Sequence, residues 1–506
     1  MMNISELLAY QSRKDPNHEA LVSPYGRLSY GEWNDQVNRI ANRLKELGFK
    51  EGNKLVIHMP NVTEFMTLYV AVLRLKGIVI PINAKLTQQE IQYILDHSEA
   101  QFFATHELLF DHSQKLTESN DLTFIKTGEA QGDWLSFNTL LQGDATPVHC
   151  DATEDDEASI LYTSGTTGNP KGVLFTHRNI LTVATMICIE MPMNKQSRVL
   201  HMMPLSHSAP LHLFMVAGLY VGATHVLAPT FTPDLLLDMV SKEKVTHFFG
   251  APVAYLMTAK HPDIEQYDLS SMEYWVYGGA PLGTNEVNLV KEKFKTDSLV
   301  CVYGLTEAGP NGTLLKSEEH GDKSGSIGQR AALNCEIRLV DESGQDVAQG
   351  RTGEIILRGE GTMKSYYKAP DKTTETLKDG WLYTGDIAIQ DEDGYFWVID
   401  RKKDVIISGG VNIFPTEVEK VIMQHEAVED VAIVGIPHEE WGETAKAFVV
   451  LNKELSNLEE EIKSFLQDKI ASYKIPRVYE QVEALPRNAT GKLLRNELRE
   501  RQEASM

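Results

Sequence analysis

The 506-residue chain is short of positive charge, cysteine and long apolar runs. Its formal net charge of -23 argues against broad attraction to nucleic acid phosphates or to an anionic membrane surface. Its four cysteines have no CxxC spacing, so neither a zinc site nor a disulfide framework is indicated. The longest apolar run, Leu213 to Thr224, is shorter than the roughly 20 residues that span a bilayer and predicts a buried helix. The N-terminus lacks the basic head of a secretory signal, so we expect a cytoplasmic protein with no transmembrane segment.

The remaining composition predicts a packed α/β protein of at least two domains. Hydrophobic residues make up 42% and charged residues 24% of the chain, which is ordinary for a globular protein. A chain of 506 residues is too long for a single hydrophobic core. Residues 54–60 and 78–83 have the pattern of strands, and residues 62–77 between them have helical spacing. Such alternation predicts parallel sheets covered by helices. The pattern recurs from Ala158 to about Val302, which predicts two related α/β subdomains.

The texture of the sequence changes twice further along. From Asn311 to Val398 short strand-like runs alternate with glycines, which predicts a smaller β-rich subdomain. After Asp400 a new α+β pattern runs to the C-terminus. The predicted fold class is therefore α/β. We expect a large N-terminal domain, residues 1–400, of two α/β subdomains plus the β-rich one, and a small α+β C-terminal domain, residues 401–506.

A glycine-rich segment, TSGTTGNPKG, follows the strand-like residues 158–162 and precedes a helical pattern that begins near Arg178. Strand, loop and helix in this order are typical of phosphate sites, because glycines let backbone N–H groups face an anion. The Walker loop is excluded, since the lysine follows Asn169-Pro170 and precedes Gly172. A polar surface turn is the alternative. The candidate residues are Thr163, Ser164, Gly165, Thr166, Thr167, Gly168 and Lys171.

The segment YTSGTTGNPKG closely resembles the signature of the adenylate-forming (AMP-binding) superfamily of acyl-CoA synthetases, luciferases and peptide-synthetase adenylation domains. Further segments resemble the family's motifs in the family's order: GGAP (278–281), YGLTE (303–307), YTGD (383–386), DRKKDVIISGG (400–410) and PRNATGK (486–492). The resemblance implies an enzyme that uses ATP and Mg2+ to activate a carboxylic acid as an acyl adenylate. It also implies transfer of the acyl group to coenzyme A.

Metal and nucleotide ligands follow from that resemblance. Glu307 is a hard oxygen ligand suited to Mg2+, and Thr163 is expected beside it. Tyr303 would stack on adenine and Thr306 would lie near the α-phosphate. Each short motif is weak alone, because an isolated acid is usually solvated and an isolated tyrosine usually packs in a core. The implied nucleotide contacts in this part of the chain are Gly279, Ala280, Pro281, Tyr303, Gly304 and Thr306.

The ribose contact is implied for Asp386, whose carboxylate suits both sugar hydroxyls, with Arg401 reinforcing it. An aspartate next to glycine is otherwise a common turn residue. Lys492, which alone would be an ordinary surface lysine, corresponds to the family's catalytic lysine that bridges the carboxylate and the α-phosphate.

The resemblance also implies a mobile C-terminal domain that pivots at Lys403 between the two half-reactions. After rotation, Ser408, Gly409 and Gly410 would line the pantetheine channel, where glycine lets a thiol arm pass close to the backbone. An ordinary turn is the alternative explanation of this segment.

His207 matches the family's acyl-site histidine and would gate or orient the acyl adenylate. A histidine in an apolar setting is otherwise more often a packed core residue. The candidates for an apolar acyl pocket are Leu211, Phe214, Met215, Phe249, Gly250 and Ala251. No charged anchor for an amino acid substrate is evident.

Several functions are compatible with these motifs. The first is an acyl-CoA ligase for a medium- or long-chain fatty acid, with aryl acids as the close alternative. The second is a free-standing adenylation enzyme that loads a carrier-protein phosphopantetheine. A nucleotide-binding regulator without the chemistry is the third, and a luciferase-like oxygenase is a further alternative. The oligomeric state, a homodimer included, is left open.

Overall fold

The computed structural model describes residues 3–118, 121–163, 170–409, 411–467, 469–487 and 493–503. Contacts divide the chain into two compact units. The first comprises Met1–Ile337 and Leu357–Leu382, and the second comprises Arg338–Ile356 and Tyr383–Met506. The predicted domain boundary after Asp400 lies inside the second unit and stays a prediction, as does the pivot at Lys403.

The first sheet of the first unit has parallel strands at its centre. Lys54–His58 and Ile78–Pro81, which the sequence predicts as strands, pair in parallel, and both are almost wholly buried. Strands buried on both faces are typical of sheets covered by helices. In spatial order the described strands are Ser365–Tyr366, Lys171–Thr176, Glu157–Thr163, Ile78–Pro81, Lys54–His58, Phe102–Thr105, Thr123–Lys126 and Trp134–Ser136.

The second sheet of this unit is larger and also parallel at its centre. It has antiparallel strands at both edges. In spatial order its described strands are Arg330–Ala331, Thr313–Leu315, Leu299–Tyr303, Tyr274–Gly278, His247–Gly250, Arg198–His201, Thr224–Leu227, Glu19–Ser23 and Gly26–Ser29. The mixed α/β fold class predicted from the sequence is confirmed.

The first unit contains two α/β sheets, as predicted, but each sheet also takes strands from a distant part of the chain. The early strand Glu19–Ser23 pairs in parallel with Thr224–Leu227 of the second sheet. Glu157–Thr163 completes the first sheet, and the late strand Ser365–Tyr366 pairs with Lys171–Thr176. Hydrophobic periodicity reports the local conformation of a segment, and it carries no information on which distant strand will be its neighbour.

The helices begin where the sequence offers capping groups. The side chains of Ser29 and Thr87 each accept a hydrogen bond from the backbone N–H of the glutamate three residues later, and the side chain of that glutamate accepts one from the backbone N–H of Ser29 or Thr87. The helices Tyr30–Glu46 and Gln88–Ser98 therefore begin with a capping box. The α-helices of the first unit are Ile4–Lys14, Tyr30–Glu46, Thr63–Arg74, Gln88–Ser98, Phe137–Leu140, His177–Glu190, Ala217–Val221, Pro233–Glu243, Pro252–Ala259, Thr284–Phe294 and Pro370–Thr376. Shorter 3-10 turns cover Glu107–His112, Gln114–Glu118, Ile264–Gln266, Thr306–Ala308 and Ser317–Glu319.

The long apolar run is helical and buried, as predicted. A π-helix, Ala209–Val216, continues into Ala217–Val221, and this helix ends at Gly222, whose φ is +79°. Left-handed backbone of this kind favours glycine. No helix among the described residues is long and apolar enough to cross a membrane. All four cysteines are unpaired thiols.

The second unit has the α+β character predicted for the C-terminal part. One sheet contains Glu336–Val340, Thr352–Arg358, Trp381–Gln390, Leu377–Lys378 and Phe396–Arg401. The division between the units falls inside the first three of these strands, and Leu377–Lys378 is assigned to the first unit. The other contains Val411–Ile413, Ile406–Ser408, Gly442–Leu451, Val428–His438 and Val478–Gln481. Its helices are Pro415–Ile422, Leu458–Leu466 and Arg495–Glu503, with a 3-10 turn at Ser472–Lys474.

Candidate active site

The predicted ligand residues of the first unit lie at the carboxyl ends of neighbouring parallel strands. His207 follows Arg198–His201, Ala251 follows His247–Gly250, and Gly279 follows Tyr274–Gly278. The register pairs Gly250 with Tyr277 and Gly278 with Val302, so these ends are level. This edge of an open parallel sheet is where such folds bind their ligands.

Two glycines at this edge are required by the geometry. Gly279 has a φ of +84°, a left-handed conformation that favours glycine. The residues Gly279–Pro281 are exposed to solvent. A Cβ on Gly304 would lie 2.3 Å from the carbonyl oxygen of Pro310, so only glycine fits directly after Tyr303. The exposed segment and the strand end at Tyr303 belong to adjacent strands, which makes both available to one ligand.

The glycine-rich loop connects two antiparallel strands. Thr163 and Lys171 face each other as partners in the ladder, and the loop residues Ser164, Gly165, Thr166, Thr167 and Gly168 lie outside the described residues. The helix predicted near Arg178 begins at His177, but the strand Lys171–Thr176, which the sequence analysis does not predict, lies between the loop and this helix. The strand forms because its apolar residues Val173–Phe175 are buried in the sheet, although it begins with the polar Lys171.

Tyr366 connects Lys171 to Glu307. Its hydroxyl donates a hydrogen bond of 2.7 Å to Oε1 of Glu307. The ammonium nitrogen of Lys171 lies 5.2 Å from the centroid of the Tyr366 ring, within cation–π range. Burial, with the nearby Glu307 charge, raises the pKa of Tyr366, so the phenol stays protonated and remains a donor. The predicted phosphate lysine and the predicted metal ligand therefore belong to one connected group.

The chemistry of Glu307 fits a magnesium ion that is held mainly by a nucleotide. A carboxylate with one phenol hydrogen bond keeps lone pairs for a cation. Among the described residues there is no group of three or more His, Cys, Asp or Glu side chains arranged for a metal. Mg2+ is usually bound through one or two carboxylates together with substrate phosphates. A single glutamate, connected through Tyr366 to Lys171, fits this mode of binding.

His207 lies beside the YGLTE segment. Its Nε2 is 3.4 Å from the side-chain nitrogen of Asn83, and burial lowers the pKa of its imidazole. The neighbouring Ser208 hydroxyl donates to Oγ1 of Thr306 at 3.4 Å. The structure thus brings together the segments of His207 and Thr306, whose proximity the sequence predicts only through the family's motifs.

The two halves of the predicted acyl pocket also meet. Leu211, Phe214 and Met215 are buried on the π-helix. The ring of Phe214 lies 5.5 Å from that of Phe249 on the neighbouring strand. Gly250 is packed against aromatic rings, since a Cβ there would lie 2.8 Å from Tyr255.

In the second unit, Asp386 and Arg401 form an ion pair. They are partners across two antiparallel strands, and Nε of Arg401 lies 2.7 Å from Oδ1 of Asp386. Asp386 is buried, whereas the guanidinium of Arg401 is partly exposed. The two predicted ribose residues are therefore adjacent, in a geometry that fixes the carboxylate.

The predicted pivot and channel residues lie close together in the sequence of the second unit. Burial lowers the pKa of Lys403, and the next residue, Asp404, accepts a hydrogen bond of 2.8 Å from Arg499. Ser408 ends the strand Ile406–Ser408, and Gly409 follows with a φ of +58°. Gly410 and Lys492 lie outside the described residues.

Sequence reasoning missed two residues of these groups, Tyr366 and Trp441. A Cβ on Gly409 would lie 2.5 Å from the Trp441 ring, and the backbone N–H of Gly409 donates to the Trp441 carbonyl. Trp441 is 42% exposed, and the Arg477 guanidinium lies 5.2 Å from its ring. A half-exposed tryptophan indicates a binding surface only once the structure is known, and nothing in the local sequence singles out either residue.

These features place the predicted ligand residues of the first unit at the carboxyl edge of a parallel sheet, the edge at which α/β proteins of this kind bind ligands. The family model of the AMP-binding enzyme matches residues 8–367, and that of the AMP-binding enzyme C-terminal domain matches residues 417–492. The chain belongs to the AMP-binding enzyme family, as the sequence motifs predicted. It is an ATP-dependent, adenylate-forming ligase of the acyl- and aryl-CoA ligase class.

Relatives and solved structures cover nearly the whole chain. It is 34% identical to the long-chain-fatty-acid–CoA ligase of Bacillus subtilis, over 98% of this chain and 94% of that one. It is 33% identical to the feruloyl-CoA synthase of Amycolatopsis, over 97% of each chain. ATP-bound MatB from Rhodopseudomonas palustris superposes with a TM-score of 0.89 at 28% identity, over 99% of each chain.

Proposed function

We propose that the enzyme converts a medium- or long-chain fatty acid to its coenzyme A thioester through an acyl adenylate. The observation that carries this proposal is the contact between Phe214, on the buried apolar helix that follows His207 in the sequence, and Phe249 on the neighbouring strand. Similarity to a fatty-acid ligase supports it. Similarity to the feruloyl-CoA synthase favours an aryl acid as the second candidate, because aromatic rings also pack well on phenylalanine.

In the first half-reaction an oxygen of the substrate carboxylate attacks the α-phosphorus of ATP. A new phosphorus–oxygen bond forms, the bond to pyrophosphate breaks, and pyrophosphate leaves with its electron pair. Positioning and neutralisation of phosphate charge govern such a step. We assign the phosphate contacts to Lys171, Thr306 and the loop 164–168, and the cation at the reacting oxygens to Lys492.

We assign the Mg2+ site to Glu307, with Thr163 near it. When bound, the ion neutralises charge on the phosphate oxygens. Tyr366 would hold the Glu307 carboxylate in one orientation through its hydrogen bond. We assign the nucleotide's base and sugar to Tyr303 and Gly279–Pro281, and to the Asp386–Arg401 pair.

In the second half-reaction the thiol sulfur of coenzyme A attacks the acyl carbonyl, the thiol proton passes to solvent, and AMP leaves with the electron pair of the broken carbon–oxygen bond. His207, held near Asn83 and kept neutral by burial at ordinary pH, would orient the acyl group. We assign the pantetheine channel to Ser408–Gly410. We further propose that residues 401–506 form a domain that changes orientation about Lys403 between the two steps.

A panel of acids tests the substrate. Saturated fatty acids of graded length, benzoate, cinnamate and a hydrophilic dicarboxylate would be scored for coenzyme A-dependent AMP formation, with Lys492→Ala as the inactive control. We expect rates to rise with the length of the aliphatic chain. Highest turnover with cinnamate would move the assignment to aryl acids, and an equal rate for every acid would contradict the apolar pocket.

The thiol acceptor is tested separately. Wild-type enzyme, ATP and the preferred acid would be incubated with coenzyme A or with phosphopantetheinylated carrier proteins, and thioester formation followed by mass spectrometry. We expect coenzyme A to be acylated. Acylation of a carrier protein alone would favour the free-standing adenylation enzyme.

A further inference from the structure

The helix of the candidate acyl pocket carries a buried histidine that the proposed mechanism does not use. His212 lies on the π-helix Ala209–Val216, and its side chain is fully buried. π-Helical segments are rare and occur frequently at functional sites. Burial lowers the pKa of His212 to about 4, so the imidazole is neutral at ordinary pH. A neutral imidazole has one donor nitrogen and one acceptor nitrogen, and its hydrogen-bond partner decides which is which.

The imidazole of His212 donates a hydrogen bond to the backbone beside the candidate metal ligand. Its Nδ1 lies 3.0 Å from the carbonyl oxygen of Gly309. Because a carbonyl only accepts hydrogen bonds, Nδ1 carries the proton. Nε2, the acceptor nitrogen, is buried and has no hydrogen-bond partner among the described residues. A buried acceptor of this kind costs stability, so packing alone would favour an apolar side chain at this position.

The residue Gly309 closes the turn Thr306–Ala308, which contains the candidate metal ligand. Its backbone N–H donates to the carbonyl of Thr306 at 2.9 Å. Its φ is +97°, and a Cβ there would lie 2.3 Å from the carbonyl oxygen of Gly361, so neighbouring backbone encloses it. The N–H of Gly309 thus binds the turn, and its carbonyl binds His212.

The ring of His212 also packs on the strand that begins with Lys171. The ring of Phe175, on the strand Lys171–Thr176, lies 4.9 Å from the imidazole in an edge-to-face arrangement. Phe175 is fully buried in its sheet, which gives the imidazole a fixed surface to pack against. His212 therefore contacts both the strand of the candidate phosphate lysine and the turn of the candidate metal ligand.

We propose that His212 is a positioning residue for Thr306 and Glu307. It holds the carbonyl of Gly309 and so fixes the backbone of the turn that carries both side chains, whereas Tyr366 orients only the carboxylate of Glu307. This inference rests on the proposed roles of Thr306 and Glu307 in adenylation. Misplacing a reacting group by about 1 Å can cost about a hundredfold in rate, so a released turn should be visible in kinetics.

Two substitutions separate the hydrogen bond from the volume of the side chain. Asparagine keeps a donor nitrogen close to the position of Nδ1, whereas leucine, of similar volume, has no donor. In ATP–pyrophosphate exchange we expect His212→Leu to lower kcat/KM for MgATP by about thirtyfold, and His212→Asn by only about threefold. If His212→Leu does not fold, His212→Phe takes its place with the same expected loss, because it keeps a ring against Phe175 without a donor.

The second half-reaction tests whether the acyl pocket on the same helix stays intact. Thioester formation from synthetic acyl adenylate and coenzyme A needs neither Mg2+ nor a triphosphate. We therefore expect it to stay within about threefold of the parent enzyme in each His212 variant.

His247→Leu is the matched control for stability. His247 is also fully buried, and burial lowers its pKa to about 4 as well. It begins the strand His247–Gly250, at the end opposite to the carboxyl edge that carries the candidate site. We expect this variant to lose stability in urea as His212→Leu does, and to keep exchange within about twofold of the parent enzyme.

Normal exchange by His212→Leu, equal losses in the leucine and asparagine variants, equal losses in both half-reactions, or a matching loss in His247→Leu would each overturn the proposal. A different result tests the function beneath it. If Glu307→Gln and Thr306→Ala both exchange as fast as the parent enzyme, the proposed roles of these two residues fail, and the positioning role of His212 fails with them.

Discussion

The phenol of Tyr366 donates a 2.7 Å hydrogen bond to the carboxylate of Glu307, 59 residues earlier in the chain. The ring of the same tyrosine lies beside the ammonium group of Lys171. One side chain thus orients the candidate metal ligand and contacts the candidate phosphate lysine.

Tyr366→Phe should weaken the use of Mg2+ while leaving the ring contact with Lys171 intact. A hydrogen bond to a charged acceptor contributes about 1 kcal/mol or more, so we expect the Mg2+ concentration for half-maximal pyrophosphate exchange to rise about fivefold. Tyr367→Phe is the control, because its hydroxyl donates to the Ser98 carbonyl at 3.3 Å. An unchanged Mg2+ dependence in Tyr366→Phe would mean that the hydrogen bond does not serve the metal site.

Gly409→Ala should impair thioester formation more than adenylation. The new methyl group would lie 2.5 Å from the Trp441 ring, and the φ of +58° adds backbone strain of about 1 kcal/mol. Gly442→Ala is the control, since Gly442 has a φ of +75° with open space around its Cβ position. We expect coenzyme A-dependent turnover of acyl adenylate to fall only in the Gly409 variant, and equal losses in both would assign the effect to backbone strain.

Asp386→Asn should remove discrimination between ATP and its 2′-deoxy analogue. The buried carboxylate is held by Arg401 and suits sugar hydroxyls, so the parent enzyme should prefer ATP by at least about tenfold in kcat/KM. Glu392→Gln, at an exposed turn of the same sheet, should keep that preference. If the Asp386 variant still discriminates as the parent does, another residue recognises the ribose.

Acid should destabilise the first unit through its buried histidines. Burial lowers the pKa of His58, His177 and His247 to about 4. Their unfolded pKa is about 6.5, so the stability that they contribute as neutral groups is present above about pH 6.5 and is lost as the pH falls toward 4. For each, the loss between about pH 7 and about pH 5 is about 2 kcal/mol.

Urea unfolding at a series of pH values measures this loss. His177→Asn should lower the stability at neutral pH, because Nδ1 of His177 accepts the backbone N–H of Ile4, and should make the pH dependence shallower. The exposed His149→Gln should keep the slope of the parent. A slope that does not change in the His177 variant would show that this histidine is not a source of the acid sensitivity.

The strands were predictable from local sequence, whereas the candidate ligand residues at their ends were predicted only through the family's motifs. Alternating strands and helices imply a parallel sheet, and Glu307 follows a strand end within the short segment that carries its motif. Tyr366 was not predictable, since its position depends on a two-residue strand that pairs with a distant part of the chain. Trp441 likewise reaches Gly409 through a turn between two long strands of the C-terminal sheet.

The strand after the glycine-rich loop shows a second limit of sequence reasoning. Its buried residues continue without polar alternation, so their pattern is shared by a buried helix segment. The capping box of Thr176 and Asn179 marks the start of the helix at His177. Residues 171–176, which precede it, are therefore free to form a strand.

The exchange of strands between the two large sheets has a consequence for the protein during its synthesis. The strand Glu19–Ser23 leaves the ribosome long before its parallel neighbour, Thr224–Leu227. The edge of Lys171–Thr176 likewise waits for Ser365–Tyr366. The nascent chain therefore has unpaired strand edges until most of the first unit has been translated, a period in which it is open to aggregation. A fragment ending before the second half of either sheet would keep that exposure permanently.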